Sequence, residues 1–145
     1  MSNYFYEDEN KERIKEGLLT GKAKSWAESF IKPKQPKERW QKNPELKAAQ
    51  LRKFHIEAKE LEEKVKNLEN PDEEFPKLRP LVKMLKSKVA YVCPITGRDR
   101  KVPEEFRKYI EEMVDNVNDH RDFLAFALCF ESVVGFFFGQ GGRQK

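Results

Sequence analysis

The 145-residue chain carries 29 Lys and Arg against 25 Asp and Glu, a formal net charge of +4, and only 38% of its residues are apolar. This size allows one domain with one core, and eleven Phe predict that the core is built from large aromatic side chains concentrated near the C-terminus. Two cysteines and no leader-like start argue against a disulfide framework and predict a protein of the reducing cytoplasm.

Apolar residues recur at intervals of three and four and almost never at two, which predicts an all-α fold, a small helical bundle of about five helices. In residues 1–42, Ile14, Leu18, Trp26, Phe30 and Ile31 suggest short helices weakened by Gly17 and Gly21. Pro33 and Pro36 remove donors and favour extended predecessors, so Lys32 to Lys42 reads as a flexible basic linker. Residues 1–42 are therefore expected to be a poorly ordered or short-helical arm, with the bundle over 43–139 and a flexible tail over 140–145.

Asn43-Pro44-Glu45 has the chemistry of a helix start: a capping side chain, a proline at the first position and an acid near the positive dipole end. Leu51, Phe54, Ala58, Leu61, Val65 and Leu68 then form a heptad seam that must be buried, in the bundle itself or against another chain. Asn70-Pro71 ends this long helix. A further helix is predicted over Lys77 to Val92, burying Leu78, Leu81, Val82, Leu85 and Val89 and carrying a stripe of Arg79, Lys83 and Lys86 with Lys88 close by. Cys93-Pro94-Ile95-Thr96-Gly97 is turn chemistry that places Arg98, Arg100 and Lys101 on a loop. Pro103-Glu104-Glu105 opens the next helix, with Phe106, Ile110, Met113 and Val117 as its seam, and Asn118-Asp119 caps the last. That last helix is apolar nearly all round from Phe123 to Phe138; it is about four turns long and interrupted by Glu131, so it reads as the centre of the bundle or half of an interface, not a membrane anchor. Glu131, set among phenylalanines, should find a cation or protrude at an edge.

Charge is segregated along the chain. Lys32 to Lys53 holds eight cations against two acids, and Lys77 to Lys101 eight against one, while Phe54 to Pro76 and Val102 to Glu131 each sum to −5. Such blocks suit a regularly spaced polyanion such as a phosphate backbone, and the alternative is solvation of helix faces. No nucleophile motif, phosphate-binding glycine loop or clustered acid pair is present, and His55, His120, Cys93 and Cys129 lack ligand spacing, so the sequence predicts no enzyme, no metal and no cofactor.

Three segments, in order, resemble the small subunit of type III-A CRISPR effector (Csm) complexes. Gln50-Leu51-Arg52-Lys53-Phe54 is similar to a motif on that family's first long helix, Leu85-Lys86-Ser87-Lys88-Val89-Ala90-Tyr91 to a second with a basic residue following, here Arg98, and Phe130-Glu131-Ser132-Val133-Val134-Gly135-Phe136 to a third. Phe137 and Phe138 stand where the family usually has His and a basic residue, so a hydrophobic contact is expected there. The resemblance implies a non-catalytic subunit that binds guide RNA and target RNA through their phosphates and stacks with other copies of itself. Its further partners would be the RNase backbone subunit and the large subunit of the complex, with no membrane involved. Arg52, Lys53, Arg79, Lys83, Lys86, Lys88 and Arg98 are the expected phosphate contacts, supported by Gln50 and Tyr91. The rival reading is a coiled-coil adaptor whose basic patches meet an acidic protein.

Overall fold

A computed structural model of the chain describes residues 3–142. A single turn, α1 (Glu16–Leu19), is followed by five longer helices: α2 (Gly21–Ile31), α3 (Ala48–Lys66), α4 (Pro71–Val92), α5 (Glu104–Asp115) and α6 (His120–Gly139). Extended pairing among the described residues amounts to one antiparallel bridge, Tyr6 with Ile14. The all-α bundle anticipated from the periodicity is the fold observed.

The bundle is arranged around α6, whose apolar circumference has to be covered: α1, α2, α3 and α4 all pack on it. By length and composition α6 could cross a membrane, but Phe123, Phe126, Phe130 and Phe137 are buried against protein. Ring contacts carry the core across elements, with Phe30 of α2 at 5.3 Å from Phe106 and 5.7 Å from Tyr109 of α5, and Tyr109 at 5.9 Å from Phe130 of α6. The heptad seam of α3 is buried in this same bundle through Leu51, Phe54, Ala58, Leu61 and Val65. Asp119 caps α6 in a reciprocal box with Asp122, as the Asn118-Asp119 pair suggested.

Three expectations need revision. The N-terminal residues are not an arm beside the bundle: Phe5, Ala27 and Phe30 are fully buried, Tyr6 Oη donates to the Arg121 carbonyl at 2.5 Å, and Lys11 Nζ bridges Asp119 and Asp122 at 2.8 and 3.0 Å. The apolar surface of α6 exceeds what α3 and α4 can cover, and α1 and α2 supply the remainder. Asn43 does not cap the long helix, which starts five residues later. Its buried side chain accepts from Glu104 N at 2.7 Å, capping α5 instead, and donates to the Lys34 carbonyl at 2.8 Å and Glu105 Oε1 at 2.9 Å. Finally, α4 begins at Pro71, not Lys77, and runs through Pro76 and Pro80. Asn70 N donates to Glu74 Oε2 at 2.7 Å and Phe75 is buried 6.5 Å from Phe123, so its first turns are held despite the missing donors. Leu81 is 40% exposed, turned about 100° from Val82 and outside the buried face it was expected to join.

Glu131 is half exposed and does find a cation, Lys59 Nζ at 2.9 Å, and His55 Nε2 lies 2.8 Å from its other carboxylate oxygen. The hydrogen bond from Lys59 is the main reason its carboxyl lies below the usual range. In the expected tail, Gly142 N donates to the Phe137 carbonyl at 2.8 Å, and residues 143–145 lie outside the described residues.

Candidate nucleic-acid interface

Helix α4 carries the second basic block, and its neighbours are acidic. An α-helix turns about 100° per residue, so Lys86 and Lys88 project from opposite flanks. Lys86 Nζ meets Asp115 of α5 at 2.5 Å, and this hydrogen bond raises its pKa. Lys88 pairs with Glu57 of α3 on the other flank. Lys83, on the α5 side, turns inward and donates to the carbonyls of Val114 at 2.6 Å and Val117 at 3.0 Å, closing the C-terminal end of α5. Burial and then the nearby Arg79 charge push the Lys83 pKa down. The expected stripe is therefore divided. Arg79 is exposed and in no ion pair among the described residues, whereas Lys83 is bonded to α5 and Lys86 and Lys88 form part-exposed pairs with acids of α5 and α3.

On α3, Arg52 lies 5.3 Å over the Phe138 ring, on the α6 side, a cation–π contact where only a hydrophobic one was expected. Lys53 faces α4 and, with Glu57, Ser87, Lys88 and the 81% exposed Tyr91, lines a groove of about 430 Å³. Gln50 is half-buried with Oε1 unpaired.

The two basic blocks do meet, at one end of the bundle, through their loops. Lys42 N donates to the Gly97 carbonyl at 2.6 Å, and Arg100 spreads its guanidinium over the carbonyls of Pro94 (2.9 Å), Lys42 (3.2 Å) and Ile95 (3.3 Å). Gly97 is required at this crossing: its φ is +83°, and a Cβ would sit 3.0 Å from Gln41 Cγ. On the first loop Lys34 N donates to Glu105 Oε2 at 2.7 Å, so the Lys32 to Lys42 segment is irregular as its prolines dictate but tied to α5. The result places exposed Lys34, Lys37, Arg39 and Lys42 on one of the joined loops and exposed Arg98 and Lys101 on the other, and Arg98 lies 5.4 Å over the half-exposed Trp40.

Of the nine residues expected at the interface, Arg98 alone belongs to this cluster; Lys53, Lys88 and Tyr91 share the α3–α4 groove, and Arg52 and Arg79 stand apart. Sequence reasoning missed Trp40 and the stapling role of Arg100. A tryptophan within a proline-rich basic loop, flanked by Arg39 and Lys42, was the available signal. Among the described residues no three His, Cys, Asp or Glu side chains are grouped as a metal site, and Cys93 and Cys129 are both buried, with burial pushing the Cys129 thiol up to about 12.

The chain is thus a small all-α bundle closed around one apolar helix, with cationic loops laced at one end. The family model described as Csm2 Type III-A matches residues 17–140, and the chain belongs to this family of small subunits of type III-A CRISPR-Cas complexes. No curated protein and no solved structure matches it. The family is a structural one and generally non-catalytic.

Proposed function

We propose that this chain is a non-catalytic brace in the type III-A interference complex, gripping the phosphate backbone of guide RNA and target RNA without reading sequence. Its neighbours in the cytoplasm would be the RNase backbone subunit, the large subunit and other copies of itself. The observation that carries the reading is the convergence of both basic blocks in the cluster around Arg98 and Lys42, which offers cations at several adjacent points, as a phosphate rail demands. Lys53, Lys88 and Tyr91 along the groove, and Arg52 and Arg79 on their own faces, would extend it. Lys83 and Lys86 would contribute by fixing α4 against α5. The adaptor reading loses its main support, because the heptad seam it would use is buried within the chain.

The test is RNA binding by the reconstituted complex across a salt series, comparing the native chain with Arg98→Glu plus Lys42→Glu. The double variant should weaken target-RNA binding and flatten the dependence of log K on log salt by about two contacts. Unchanged affinity and slope would overturn the assignment.

A further inference from the structure

Trp40 is 48% exposed, with the Arg98 guanidinium lying 5.4 Å over its ring. Its loop is anchored two residues on, at Lys42, whose N–H donates to the Gly97 carbonyl and whose own carbonyl accepts from Arg100, so the indole stands beside a fixed point of the backbone. Arg39, Lys42 and Lys101 are exposed and lie on the same two loops. An aromatic face among cations is the arrangement by which single-stranded nucleic acid is held, base on ring and phosphates on the flanks; a phosphate alone would need no indole.

We propose that Trp40, backed by Arg98, is a stacking platform for an unpaired base of single-stranded RNA, with Arg39, Lys42 and Lys101 taking the adjoining phosphates. The inference rests on the reading that this chain binds RNA, and adds that the site takes an unstacked base as well as a backbone. Arg100 is its positioning residue, since it joins the two loops and has its guanidinium engaged with carbonyls.

The experiment uses the full-length chain with three probes: a short oligouridylate, an abasic oligomer of equal charge, and poly-glutamate. The chain has two tryptophans, and Trp26 packs against Phe30 and Tyr109, so a change in emission on binding reports on Trp40. Oligouridylate should quench that emission and the abasic oligomer should not. Trp40→Leu should weaken oligouridylate binding by about tenfold, leave the abasic oligomer and the salt slope unchanged, and be largely rescued by Trp40→Phe. Equal losses for both oligomers, or none, would overturn the platform while leaving backbone binding in place. Quenching by poly-glutamate equal to that by RNA would reassign the patch to an acidic protein and overturn the proposal. Failure of the native chain to bind either oligomer at low salt would overturn both the platform and the RNA reading beneath it.

Discussion

Replacing Lys83 by methionine separates a structural cation from a recognition cation on the same helix. The substitution keeps the apolar stem and removes an ammonium that donates to the Val114 and Val117 carbonyls at 2.6 and 3.0 Å. A hydrogen bond from a charged group contributes about 1.5–3 kcal/mol, and a cation at a helix C-terminus roughly 0.3–1 kcal/mol. Two effects reduce that sum. Burial already disfavours the charged form, as the lowered Lys83 pKa indicates, and Val114 O keeps a second donor in Val117 N at 3.1 Å. What remains uncompensated is chiefly the Val117 carbonyl, so the expected loss is about 1–2 kcal/mol. For a domain of this size that corresponds to a fall in Tm of roughly 3–7 °C. Thermal denaturation of Lys83→Met should show it, while RNA affinity of the reconstituted complex stays within about twofold of native. Arg79→Met, one turn earlier on an exposed position, should do the reverse: unchanged Tm, weaker RNA binding and a salt slope reduced by about one. A Lys83→Met chain with native Tm and diminished RNA affinity would refute the argument, because it would place the ammonium on the ligand and not on α5.

Phe30→Ala should cost about 3–5 kcal/mol in urea denaturation, since it empties a fully buried ring site between α2 and α5; a loss below about 1 kcal/mol would restore the N-terminal residues to the status of a separate arm. Asp119 gives a pH prediction. Burial alone would raise its carboxyl, but Lys11 and the Asp122 N–H outweigh burial and hold it below the usual range. Its folded pKa is therefore depressed, so its contribution is present above about pH 4 and lost as pH falls through the folded value. Asp119→Ala should remove about 1 kcal/mol of stability at pH 7 and flatten the acid limb of a pH–stability profile; equal losses at pH 7 and at a pH below the folded value would show that charge has no part.

The parts of the fold legible in the sequence were those written in local periodicity. The seams of α3 and α5 repeat every three or four residues, and Leu51, Phe54, Ala58, Leu61 and Val65 with Phe106, Ile110, Met113 and Val117 are buried where the pattern put them. Asn43 shows what local pattern cannot convey: its capping chemistry was read correctly, but the helix it caps lies some sixty residues away, a matter decided by tertiary packing. Pro76 hid the true start of α4 because the ring contact of Phe75 with Phe123, which holds that turn, is also long-range. The candidate site was legible only as charge. Segregated blocks along the chain suggested an external polyanion, yet the acidic blocks turned out to supply Asp115 and Glu57 as internal counterions for Lys86 and Lys88. That Lys86 and Lys88 would leave α4 on opposite flanks could have been read from their spacing. The meeting of the Lys42 and Gly97 loops could not, since no residue in either announces the other.

The helix on which α1 to α4 all rest is also the last of the six to be synthesised. A ribosome that has made α1 through α5 has produced an incomplete core: α2 and α4 can already pack on α5, but the faces of α1 to α4 that rest on α6 stay uncovered until it leaves the exit tunnel. A chain interrupted before α6 would keep those apolar faces exposed, the condition in which proteolysis and aggregation outpace assembly.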